Sequence, residues 1–120
     1  MKNEMTPKQL AIKIAKAADD VQAVDLEVLD LSPIASFTNF FVICSGKSDT
    51  QVKAIADSIT KKLSKEGRKP LGVEGYDQGL WLLVDYGDVV VHIFHNEARN
   101  FYNLEKLWGD APRIDISAGS

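Results

Sequence analysis

From Leu80 to Phe94, apolar and polar positions alternate on either side of Gly87-Asp88, a dipeptide suited to a two-residue hairpin turn. If Tyr86 faces Val89 across that turn, counting in twos puts Trp81, Leu83, Asp85, Val90, His92 and Phe94 on one face of a sheet. Leu80, Leu82, Val84, Val91 and Ile93 fill the other. The second set is wholly aliphatic. The first mixes two aromatics with a carboxylate and an imidazole, so it is the face on which something besides core packing can happen.

The rest of the chain reads as elements that would cover such a sheet. Thr6-Pro7-Lys8-Gln9 is a capping box with proline at the first helical position, and Leu10, Ile14, Ala18 and Val21 follow at helical spacing. Val24 to Leu31 alternates as a strand, and Phe40 to Ser45 is a continuous apolar run expected of a central strand. Ser48-Asp49-Thr50-Gln51 predicts a second capping box, before a helix with Val52, Ile55, Ala56, Ile59 and Leu63 inward and Gly67 as its stop. Pro70 to Val73 predicts a short strand. Asn96 is placed to cap a last helix with Ala98, Phe101, Leu104, Leu107 and Trp108 facing inward. From Asp110 on, the chain is polar and expected to fray, so residues 1–110 are assigned to a single domain and 111–120 to a short tail. The order α-β-β-α-β-β-β-α predicts an α/β (α+β) architecture, a mixed sheet of about five strands with helices packed on it.

Composition narrows the class. At 120 residues the chain supports one core. No apolar run approaches the ~20 residues of a membrane span, and the N-terminus has no signal-peptide pattern, which together predict a cytoplasmic protein. The single cysteine, Cys44, sits in an apolar run and reads as a small core residue. A net charge of -3 disfavours RNA as the main partner and favours a basic protein. Lys61, Lys62, Lys65, Arg68 and Lys69 form a local basic cluster near a helix C-terminus, where cations are stabilised by the helix dipole; a minor RNA contact is the functional counterpart of that solvated face.

Candidate chemistry is sparse. Ser45-Gly46-Lys47-Ser48 lies between a strand and a helix N-terminus, where backbone N–H groups can hold phosphate, but it lacks the spacing of a Walker A loop. Asp25 and Glu27 sit at the exposed start of their strand. Asp85 and His92 are diagonal neighbours in the predicted pairing, within reach of each other, yet no nucleophile or second acid is placed to complete a catalytic set. His92 and His95 do not make a zinc site. Trp81, Phe94, Tyr102 and Trp108 are either core or anchors for a partner.

In this order of residues the chain resembles the ribosomal silencing factor family, also called RsfS or Iojap. The resemblance rests on Glu74, Gly75, Trp81, Asp85, Gly87, Asp88, His92, Phe94, Arg99, Tyr102, Leu104, Glu105, Leu107 and Trp108, together with Leu29 to Ser48. A Thr-Asp pair usual in the family is here Thr38-Asn39, one charge fewer. What the resemblance implies is a nucleotidyltransferase-like arrangement without enzymatic activity, catalytic residues, cofactor or metal. It also implies a homodimer that binds ribosomal protein uL14 on the large subunit, blocks joining of the small subunit and represses translation. The positions carried over as partner-binding are Glu74, Gly75, Trp81, Asp85, His92, Phe94, Arg99, Tyr102, Glu105 and Trp108. Trp81 and Tyr102 are the expected anchors, Asp85 and Glu105 the acidic contacts, and His92 the residue expected to orient Asp85. The competing expectation is a nucleotide-binding or nucleotidyl-transferring enzyme, with phosphates on Ser45 to Ser48 and a metal on Asp85 or Asp88.

Overall fold

The computed structural model describes residues 5–102, 106 and 109–114, and the side chains of 100–102 lie outside that description. Thr6 starts α1 (Pro7–Asp20) with both halves of its capping box: its Oγ1 accepts the Gln9 N–H at 3.1 Å, and its own N–H donates to Gln9 Oε1 at 3.0 Å. Ser48 starts α2 (Asp49–Ser64) by accepting the Gln51 N–H at 3.1 Å. The expected reciprocal bond is displaced by one residue, because Gln51 Oε1 accepts from Lys47 N–H at 2.7 Å instead of from Ser48. The amide of Gln51 also donates to the Gln22 carbonyl at 3.1 Å, which ties the start of α2 to the turn after α1.

The strands are β1 (Val24–Asp30), β2 (Phe40–Gly46), β3 (Gly72–Glu74), β4 (Trp81–Asp85), β5 (Val89–His95) and β6 (Arg113–Ile114), and α3 (Asn96–Tyr102) follows β5 directly. They form one six-stranded sheet in the order β3-β4-β5-β2-β1-β6. β2 runs parallel to β5 in the middle, and the other pairings are antiparallel. Five strands were expected; the sixth comes from the segment expected to fray, where Arg113 and Ile114 pair with Leu29 and Val28. A strand of two residues has no period to detect.

The predicted hairpin register holds. Tyr86 N–H donates to the Val89 carbonyl at 2.9 Å, and Trp81, Leu83 and Asp85 stand opposite Phe94, His92 and Val90. α1 and α2 cover the aliphatic face, where Leu82, Val84, Val91 and Ile93 are buried with Leu10, Ile14, Ile55, Ile59 and Leu63. Leu80 departs from its expected place: it precedes β4 and is 53% exposed. Cys44 is fully buried in this core, and burial pushes its thiol up to about 12 against an opposing pull from Arg99. Among the described residues no helix is long and apolar enough to cross a membrane.

Candidate functional site: a half-open aromatic face

The opposite face of the same strands is packed differently. Leu29, Leu31, Phe41, Ile43, Phe94 and Ala111 are buried there, with Trp81, Val90 and Ala98 only partly covered against them. Trp81 stacks on Phe94 with ring centroids 5.1 Å apart and planes 29° apart. Its indole N–H donates to His92 Nδ1 at 3.1 Å. His92 in turn meets the Phe41 ring edge-on at 4.4 Å, and Phe41 lies 6.0 Å from Phe37. These rings form a row with a half-buried indole at one end and, at the other, Phe37, which is 60% exposed. Phe37 and its neighbour Ile34, 46% exposed, were not singled out from the sequence. The signal for them was present: two large apolar residues in a loop otherwise made of Ser, Pro, Ala, Thr and Asn.

Burial lowers the His92 imidazole to about 4, so at neutral pH the ring is uncharged. Because Nδ1 accepts the indole N–H, the remaining proton is assigned to Nε2, and that nitrogen is buried with no hydrogen-bond partner among the described residues. Asp85 is engaged elsewhere: its Oδ1 accepts the Gly87 N–H at 2.7 Å and closes the hairpin turn. His92 is therefore bonded to Trp81, and Asp85 to its own turn. The two are diagonal neighbours as expected, but each is hydrogen-bonded to another partner.

Along the edge of this face Glu74 is exposed and pairs by backbone with Leu83. Gly75, at φ +79°, brings the chain so close to β4 that a Cβ there would lie 2.1 Å from the Trp81 carbonyl oxygen. Only glycine lets the loop cross at that distance. Phe94 is wholly buried beneath the indole, so its part in any contact is to support Trp81. Arg99 is 7% exposed and reaches inward: Nη1 donates to Ser45 Oγ at 2.9 Å, and Nη2 lies 3.9 Å from Glu27 Oε2. It latches α3 to the ends of β1 and β2. Tyr102 closes α3, but its side chain, like Glu105 and Trp108, lies outside the described residues. The expected helix cap is shifted, since His95 Nδ1 rather than Asn96 accepts the Glu97 N–H, at 3.2 Å.

The arrangement required by a nucleotide enzyme is not assembled by the named residues. β2 runs beside β5 from Phe40 opposite Val89 to Gly46 opposite His95, so Ser45 to Ser48 and the Asp85–Asp88 turn lie at opposite ends of the sheet, about 20 Å apart at ~3.3 Å per residue. Three of the amides at this turn are taken by side chains: Lys47 by Gln51, Thr50 by Asp49 and Gln51 by Ser48. Gly46 serves packing, because a Cβ there would lie 2.9 Å from the Val52 nitrogen.

Fold and site together define a class: a mixed α+β domain whose sheet is sealed by helices on one face and leaves an ordered aromatic surface half-open on the other. The family described as ribosomal silencing factor during starvation matches residues 4–120. The chain is 50% identical over 109 residues to ribosomal silencing factor RsfS of Bacillus subtilis, covering 90% of this chain and 92% of that protein. It is 43% identical to its Halalkalibacterium halodurans counterpart over 112 residues, 93% and 96% of the two chains. The crystal structure of a Chromobacterium violaceum protein superimposes with a TM-score of 0.85 at 37% identity, covering 88% of each chain. The chain belongs to the ribosomal silencing factor (RsfS, or Iojap) family.

Proposed function

We propose that this protein is a ribosomal silencing factor that docks by its aromatic face on ribosomal protein uL14 of the large subunit. Seated there, it sterically prevents the small subunit from joining and so represses translation. The observation that carries this reading is Trp81, a half-buried indole stacked and hydrogen-bonded into a fixed orientation on the open face. A large side chain whose rotamer is already fixed loses little freedom on binding, which is what an anchor requires. Exposed Glu74 and Asp88, with half-buried Asp85, give its surroundings acidic character suited to a basic ribosomal protein. The mechanism is occlusion, with no catalytic step. In a homodimer the same face would be shared between self-association and docking.

Co-sedimentation with isolated large subunits tests it. Trp81→Ala should retain its circular dichroism spectrum and lose ~2 kcal/mol or more of docking free energy. Wild-type protein should lower the joined-subunit fraction in a sucrose gradient and the variant should not. A variant that binds and blocks joining as the wild type does would remove the aromatic face from the mechanism.

A further inference from the structure

We propose that His92 is a positioning residue whose Nδ1 sets the orientation of the Trp81 indole for docking. This rests on the reading that Trp81 is the anchor. The imidazole stands opposite Leu83 in the hairpin, flanked by the Phe41 edge and the Trp81 ring, in a slot that a phenyl ring would fill by shape. As a core filler, histidine is a poor choice there. Its Nε2 is buried without a partner among the described residues, and a desolvated N–H with no acceptor opposes folding. What imidazole offers that phenyl does not is an acceptor 3.1 Å from the indole N–H. Its lowered pKa keeps that acceptor lone pair free of a proton throughout the neutral range. The unfavourable nitrogen and the useful one belong to the same ring, and the second accounts for keeping the first.

Stacking on Phe94 does not by itself specify which edge the indole presents, whereas a hydrogen bond from Nε1 to His92 does.

Two substitutions separate positioning from packing. His92→Phe keeps ring volume, removes the acceptor and removes the unpartnered N–H. His92→Asn places an amide oxygen near the Nδ1 position but leaves a void. Three quantities are read for each: the 15N–1H resonance of the Trp81 indole, assigned by its loss in Trp81→Phe; the urea midpoint; and affinity for isolated large subunits. The expectation is a double dissociation. His92→Phe holds or raises the midpoint, shifts the indole resonance and weakens docking roughly fivefold, as loss of one neutral hydrogen bond does. His92→Asn lowers the midpoint but stays closer to wild type in both the resonance and the docking. An unmoved indole resonance in His92→Phe, or docking equal to wild type, overturns the assignment. If wild-type protein itself fails to bind large subunits, the docking reading falls, and the role of His92 in docking falls with it.

Discussion

One set of strands presents two faces, and they solve different problems. The face under α1 and α2 is closed with Leu, Ile, Val and small Ala side chains, most of them fully buried. The other carries Trp81, His92 and Asp85 among its apolar neighbours, and each of these has a polar atom tied by a short internal bond. On the first face, energy comes from volume removed from water, and any side chain of the right shape serves. On the second, polar atoms are held in place while part of the surface stays open. A sheet can thus be anchored by one side and free to specialise on the other.

Truncation on the closed face should have the largest effect. Ile55→Ala removes most of a fully buried side chain from between α2 and the sheet and should destabilise by ~2–5 kcal/mol. Urea unfolding measures the loss, and the molecules that remain folded should dock normally. Equal losses of stability and docking would erase the distinction between the faces.

Next comes a pH effect confined to the open face. The unfolded chain protonates His92 near its ordinary value of about 6.5, while the folded chain resists until about 4. As pH falls between those values, the unfolded state binds the proton first. Stability contributed by the neutral, buried ring is therefore complete above the upper value and is lost as pH drops toward the lower, an effect on the order of 3 kcal/mol. The difference between wild-type and His92→Phe urea midpoints at pH 7 and at pH 4.5 isolates it from the carboxylates. A difference that does not change with pH would mean that the imidazole titrates as an exposed one.

The smallest effect is electrostatic. Asp85→Asn removes a charge but keeps an oxygen for the Gly87 N–H, so it should slow association with large subunits about threefold at low salt while leaving the turn intact. Lys61→Glu, on the helical side, should change stability by no more than ~0.5 kcal/mol and docking not at all. Stopped-flow association at two salt concentrations would compare them. If Lys61→Glu does the greater damage, the docking surface belongs on the basic helix, with rRNA as its contact.

The alternation from Trp81 to Phe94 revealed which side chains share a face, because a hairpin turn and a period of two leave one solution. It did not reveal cover. Trp81 and Phe94 are directly opposed and alike in pattern, yet one is half-buried and the other wholly so, since that depends on which segments lie across the sheet. Arg99 reads in the sequence as one more cation in an amphipathic helix; only folding brings it to Ser45, 54 residues away in the chain. Asp85 and His92 are diagonal neighbours as the pattern places them, but spacing cannot rank competing hydrogen-bond partners, and the bonds formed are to the turn amide and the indole.

Cys44 has a practical corollary. Burial raises its thiol to about 12 and leaves it no exposed surface, so the reactive thiolate is scarce at neutral pH. The native cysteine is thus silent toward maleimides and mild oxidants as long as the fold holds. A single new cysteine at exposed Glu74 can take a fluorophore beside the aromatic face without first removing Cys44, and delayed labelling of Cys44 itself becomes a clock for global unfolding.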